Sequence, residues 1–102
     1  MRREEKKIQK VLGELKSSLN SGNREFCSSI ENFKIGRGKF KVPERCVVSV
    51  KLENTGNKFS ISLRGGVGES EFFTTTNWFF CDDFDEAKPI IVRAAEYLFS
   101  EV

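Results

Sequence analysis

The chain has 102 residues, 38% of them hydrophobic and 31% charged, with a net charge of +2 and no histidine. That balance fits one soluble globular domain spanning 1–102 rather than a disordered chain, and no apolar run approaches the ~20 residues that cross a bilayer. Without histidine, Ser-His-Asp and Cys-His catalysis and most transition-metal sites are excluded, so neither an enzyme nor a cofactor or metal is expected.

Charge is unevenly spread. Residues 1–51 carry 13 Lys and Arg against 6 Asp and Glu, or +7, and residues 52–102 carry 4 against 9, or −5. The N-terminal MRREEKK has no apolar segment behind it, which points to the cytoplasm or to a leader already removed. Cys27, Cys46 and Cys81 are widely spaced and odd in number. They read as reduced thiols rather than zinc ligands.

In chain order, Arg2 to about Leu19 is an amphipathic helix, with Ile8, Val11, Leu12, Leu15 and Leu19 on one stripe and Asn20-Ser21-Gly22 ending it. Its Lys and Arg residues form a solvated face offset by Glu4, Glu5 and Glu14, and no membrane contact is expected. Residues 23–35 are ambiguous. Phe26, Ile30 and Phe33 have helical spacing and Phe33-Lys34-Ile35 reads as strand; strand is favoured because the central hairpin needs partners. Gly36–Arg45, GRGKFKVPER, is a connecting loop that interleaves Arg37, Lys39, Lys41 and Arg45 with Phe40, just after Lys34. Basic residues around an aromatic suit a phosphate backbone and a stacked base.

Cys46–Arg64 is the strongest local signal. Val48, Val50 and Leu52 alternate with polar residues, and so do Phe59, Ile61 and Leu63 beyond Asn54-Thr55-Gly56-Asn57. This is a β-hairpin. Setting Asn54 opposite Asn57 pairs Leu52 with Phe59, Val50 with Ile61 and Val48 with Leu63, all on one face, whereas a one-residue slip turns half of them to water. Thr55 suits a positive φ poorly, so a four-residue loop or a bulged type I turn competes with the two-residue turn. Arg64–Ser70, with three glycines, reads as a flexible link between strands and lacks a P-loop lysine.

Glu71–Phe80, EFFTTTNWFF, is a further strand. Phe72, Phe73, Trp78, Phe79 and Phe80 cannot share one face of a straight strand, so a bulge or two apolar faces must follow. Core packing and a protein interface are the two uses for these rings. Asp82–Val102 is the second helix, capped near Asp85 or Glu86 with Pro89 in its first turn. Its inward stripe is Ile91, Ala94, Ala95, Leu98 and Val102, widened by Ile90 and Tyr97.

These elements make an α+β domain: an antiparallel sheet of three to four strands with an N-terminal and a C-terminal helix packed on one face. The order helix, strands, helix resembles that of double-stranded-RNA-binding domains. Those carry a basic cluster at the start of the second helix, where this chain has Asp82, Asp83, Asp85 and Glu86, so no family is assigned. The functional expectation is a non-catalytic protein-binding module, an inhibitor, adaptor or homo-oligomerising domain, acting through Phe72, Trp78, Phe79 and Phe80. The alternative is a nucleic-acid-binding domain using Lys34, Arg37, Lys39, Phe40, Lys41 and Arg45, with Lys51, Lys58 and Arg64 on the open sheet face.

Overall fold

The computed structural model describes residues 3–34 and 46–102. Arg37, Lys39, Phe40, Lys41 and Arg45 of the basic loop lie outside the described residues. Helix α1 (Arg3–Asn20) leads into strands β1 (Phe26–Phe33), β2 (Cys46–Thr55), β3 (Lys58–Val67) and β4 (Ser70–Phe80), and helix α2 (Phe84–Ser100) follows. The strands form one antiparallel sheet in the order β1-β2-β3-β4. Helix α1 lies beside α2 and over β1, while α2 rests on β3 and β4. The domain is α+β, with both helices on one face.

The hairpin builds the floor of the core. Val48, Val50, Leu52, Phe59, Ile61 and Leu63 are all buried, under Leu15 and Leu19 of α1 and Ile91 and Leu98 of α2. Its register differs from the pattern-based pairing by two residues. Leu52 pairs with Ile61, Val50 with Leu63 and Val48 with Gly65, and Thr55 faces Lys58 across a two-residue turn. The shift moves Gly56, at φ 64°, into the first loop position and lets Thr55 stay in the strand. Primed hairpin turns need that positive φ, and an even shift leaves every side chain on its face.

Residues 26–33 are a strand, and their helix-like spacing has a local cause. Phe26 and Ile30 face inward opposite Leu52 and Val48; then the register slips between Ile30 and Phe33, where Asn32 adopts φ 55°. The irregularity returns Phe33 to the buried face three residues after Ile30. The glycine-rich stretch is not a flexible link. Gly65 and Gly66 belong to β3, and a tight turn at Gly68, φ 59°, brings in β4. A side chain at Gly65 would strike the Phe73 ring, and one at Gly66 the backbone oxygen of Ser70, so both glycines are needed for close approach.

Helix α2 starts at Phe84, and its cap lies earlier than the expected Asp85 or Glu86. Asp83 is the N-cap, its carboxylate accepting the Asp85 N–H at 2.9 Å, which puts Pro89 beyond the first turn. The inward stripe also shifts. Ala87 and Phe99 are buried, whereas Ile90 and Tyr97 are exposed.

Candidate binding surface

The face of the sheet away from the helices is open, and strand register sets its rows. Ser49 pairs with Arg64 and Arg64 with Thr74; Lys51 pairs with Ser62 and Ser62 with Thr76; Glu53 pairs with Ser60 and Ser60 with Trp78. Ser60, although on this open face, is buried between its Glu53 and Trp78 neighbours. The last row sets Lys58 opposite Phe80.

The register shift between Gly65 and Gly66 makes Phe72 the extra residue of a bulge, and this bulge sorts the aromatic run. Phe73 is buried under the helices, and Phe79 is half-buried and stacked on Phe59, with ring centroids 5.5 Å apart. Phe72, Trp78 and Phe80 are 46%, 60% and 76% exposed. Of the four rings nominated for binding, Phe79 therefore packs against the core and the other three face solvent. Trp78 and Phe80 share one corner with Lys58, whose Nζ lies 4.4 Å from the Trp78 ring centroid and 5.9 Å from that of Phe80. Cation–π attraction of this kind holds the ammonium and the rings as one unit.

The other cations on this face are already matched. Lys51 pairs with Glu53 at 2.6 Å, and that carboxylate holds the ammonium above its ordinary pKa. Arg64 pairs with Glu71 at 3.0 Å. Lys34 is exposed at the end of the described N-terminal segment, away from the corner. The four sequence-nominated cations that the structure describes thus do not form one basic patch.

Three of the four acidic residues at the start of α2 have partners of their own. Asp82 accepts the Asn57 Nδ2–H at 2.7 Å, Asp83 caps the helix, and Asp85 pairs with Lys88 at 3.0 Å. No group of three His, Cys, Asp or Glu side chains among the described residues is arranged to hold a metal ion. A groove of about 770 Å³ runs between α1 and the end of α2, lined by Ile8, Leu12, Phe33 and Phe99 with Glu4, Glu5 and Glu96 among its carboxylates. No described helix is long and apolar enough to cross a membrane.

The thiols are separate. Cys27 is exposed on the open face opposite Lys51. Cys46 is buried, its Sγ 3.5 Å from the Phe33 carbonyl oxygen, and Cys81 is half-buried. Burial pushes the Cys46 thiol above its usual pKa, which keeps it a protonated, inert group.

Compared with family models, curated proteins and solved structures, the chain matches none.

Proposed function

We propose that this chain is a non-catalytic protein-binding module whose contact surface is the Trp78–Phe80–Lys58 corner of the open sheet face. One observation carries the reading: two large rings stand side by side on an edge strand, 60% and 76% exposed, on a domain whose core is complete without them. Exposed aromatics beside a cation are what a protein interface uses as anchors, and leaving them in water has a free-energy cost that a partner removes. Three free thiols suit a reducing compartment such as the cytoplasm.

A second reading has its own support. Lys51, Lys58 and Arg64 share the open face with the same two rings, an arrangement that suits stacked bases of single-stranded nucleic acid. Glu53 and Glu71 weaken it, since each neutralises one of those cations.

Affinity capture on wild type and the Trp78→Ala/Phe80→Ala double variant, with nuclease treatment and a salt series, separates the two. Protein binding predicts a specific protein retained after nuclease and lost in the double variant, whose circular dichroism stays native. Nucleic-acid binding predicts affinity falling steeply with salt, with a log–log slope of about −0.7 per phosphate contact on single strands. Equal capture by wild type and double variant contradicts the corner as the contact.

A further inference from the structure

The two edges of the sheet are built differently. Strand β1 carries Glu31, kinks at Asn32 and is overlaid by Lys7, whose Nζ donates to the Glu31 and Asn32 carbonyl oxygens at 3.1 Å each. Charge, irregularity and covering groups are the devices that stop an edge from recruiting another strand. Strand β4 lacks them from Phe73 to Phe80, beyond the bulge at Phe72. That stretch pairs regularly with β3 and holds no proline and no charged residue.

The hydrogen-bonding groups left over on that stretch can be assigned. The Cys81 N–H donates to the Asn57 oxygen at 2.9 Å, and Cys81 continues the register that pairs Phe80 with Lys58. Backbone direction alternates along a regular antiparallel strand. Phe79, Asn77 and Thr75 therefore point their N–H and C=O groups at β3. Phe80, Trp78, Thr76 and Thr74 point theirs away from the sheet, where no described residue bonds to them. Such a row of donors and acceptors matches the spacing of another extended backbone, whereas a helix has already used its own groups internally. The side chains of the same four residues stand on the open face, so a strand laid here also comes beside Trp78 and Phe80.

Charge decides which kind of strand fits. Glu69 and Glu71 precede the regular stretch, Asp82 and Asp83 follow it, and no basic residue occurs between Glu69 and Asp83. Arg64 and Lys58 on β3 offset one acid at each end, which leaves the edge neutral in the middle and acidic at both ends. A second copy does not complement it. Two β4 edges, run either way, set acids beside acids, and the β1 edge is already obstructed. We infer that the β4 edge takes up an extended segment of a different protein, apolar where it passes Trp78 and Phe80 and carrying Lys or Arg at its ends, as a fifth strand. This rests on the protein-binding reading above and names the partner's chemistry. Backbone hydrogen bonds give the affinity, the rings select apolar side chains, and the acids select cations.

Amide exchange followed by NMR tests this with a synthetic peptide whose alternating valine–threonine core of about seven residues matches Thr74–Phe80 at ~3.3 Å per residue. Lysine pairs flank the core, and a control peptide carries glutamates in their place. The expected result is slowed exchange of the Thr74, Thr76, Trp78 and Phe80 N–H groups, with those of Thr75 and Asn77, already bonded to β3, unchanged. Glutamate flanks should weaken binding by about tenfold or more. Thr76→Pro removes one outward N–H without touching the β3 ladder, at an edge position that tolerates proline, and should weaken the lysine-flanked peptide by a similar factor. Circular dichroism checks the fold of that variant, and the wild-type amides carry the test without it. No slowing at Thr74 and Thr76 at millimolar peptide, or equal binding of the glutamate-flanked peptide, overturns the inference and leaves the protein-binding reading to the capture experiment. Shifts at Lys58 and the Trp78 indole without slowed β4 amides place the peptide on the face of the sheet, which overturns strand addition and keeps the corner as the contact. The same amides slowing as the chain alone is concentrated would assign the edge to a second copy and overturn the separate partner.

Discussion

The Lys58 ammonium lies 4.4 Å from the centroid of the Trp78 ring, across a pair of strands whose register places these residues diagonally on the open face. The contact is exposed, so its worth to stability is about 0.5–1 kcal/mol. Lys58→Ala is expected to lower stability by no more than that in a urea titration. It should shift the fluorescence of Trp78, the chain's single tryptophan, while Lys58→Arg should preserve the emission.

Core and surface side chains should respond to truncation by very different amounts. Ile61 is fully buried at the centre of β3 under the helices. Ile61→Ala removes that packing and should cost about 2–5 kcal/mol. Trp78→Ala removes an exposed ring and its contact with Lys58 and should change stability by about 1 kcal/mol or less. Thermal melts of the two variants measure the contrast directly. A Trp78→Ala variant that unfolds like Ile61→Ala would return the ring to the core.

Gly65 and Gly66 set how closely β4 approaches β3. The obstacle at Gly65 is a side chain, the Phe73 ring, whereas at Gly66 it is the Ser70 backbone. Gly65→Ala should therefore cost about 1–3 kcal/mol, the usual range for overpacking, and be partly relieved by Phe73→Leu. Gly66→Ala should find no such rescue. Denaturant midpoints of both single variants and the Gly65→Ala/Phe73→Leu double variant decide it.

The three thiols should react in order of exposure. Cys27 should label at once with a thiol reagent in the native protein, and Cys46 only on unfolding. Because burial raises the Cys46 pKa, the unfolded chain loses this proton at lower pH than the folded one. Stability is therefore complete below the unfolded thiol's ordinary pKa, about 8.5, and falls as pH rises above it toward the folded value. Cys46→Ser, followed by chemical denaturation across this alkaline range, should flatten that part of the profile.

Most of the fold was legible because alternation is a strong constraint. With one face buried, only even shifts of the hairpin were allowed, so the six floor residues were assigned correctly although the pairing was two residues out. What decided the remaining shift was local turn chemistry, namely the positive φ that Gly56 supplies and Thr55 does not. Residues 26–33 misled for the same kind of reason: the bulge at Asn32 converts period 2 into a spacing that mimics a helix. Pro89 pointed to a later cap than the one Asp83 makes, because a proline inside a helix is costly but tolerated in packed context.

The candidate surface was partly legible. The crowding of aromatics in 72–80 implied a bulge or two apolar faces, and the structure has the bulge. Which rings turn outward depended on the slip at Gly65/Gly66, which no periodicity in β4 alone reveals. The ion pairs that neutralise Lys51 and Arg64 were equally hidden. Glu71 is seven residues from Arg64 in sequence and reaches it only through the β3–β4 register.

The most direct test of the central claim is a nitrogen-15 correlation NMR titration of the labelled chain with a partner isolated by capture. The account predicts perturbations at Lys58, Thr74, Thr76, Trp78 and Phe80, with the outer faces of α1 and α2 unchanged. Perturbations confined to the helices while the β4 signals stay fixed would contradict it.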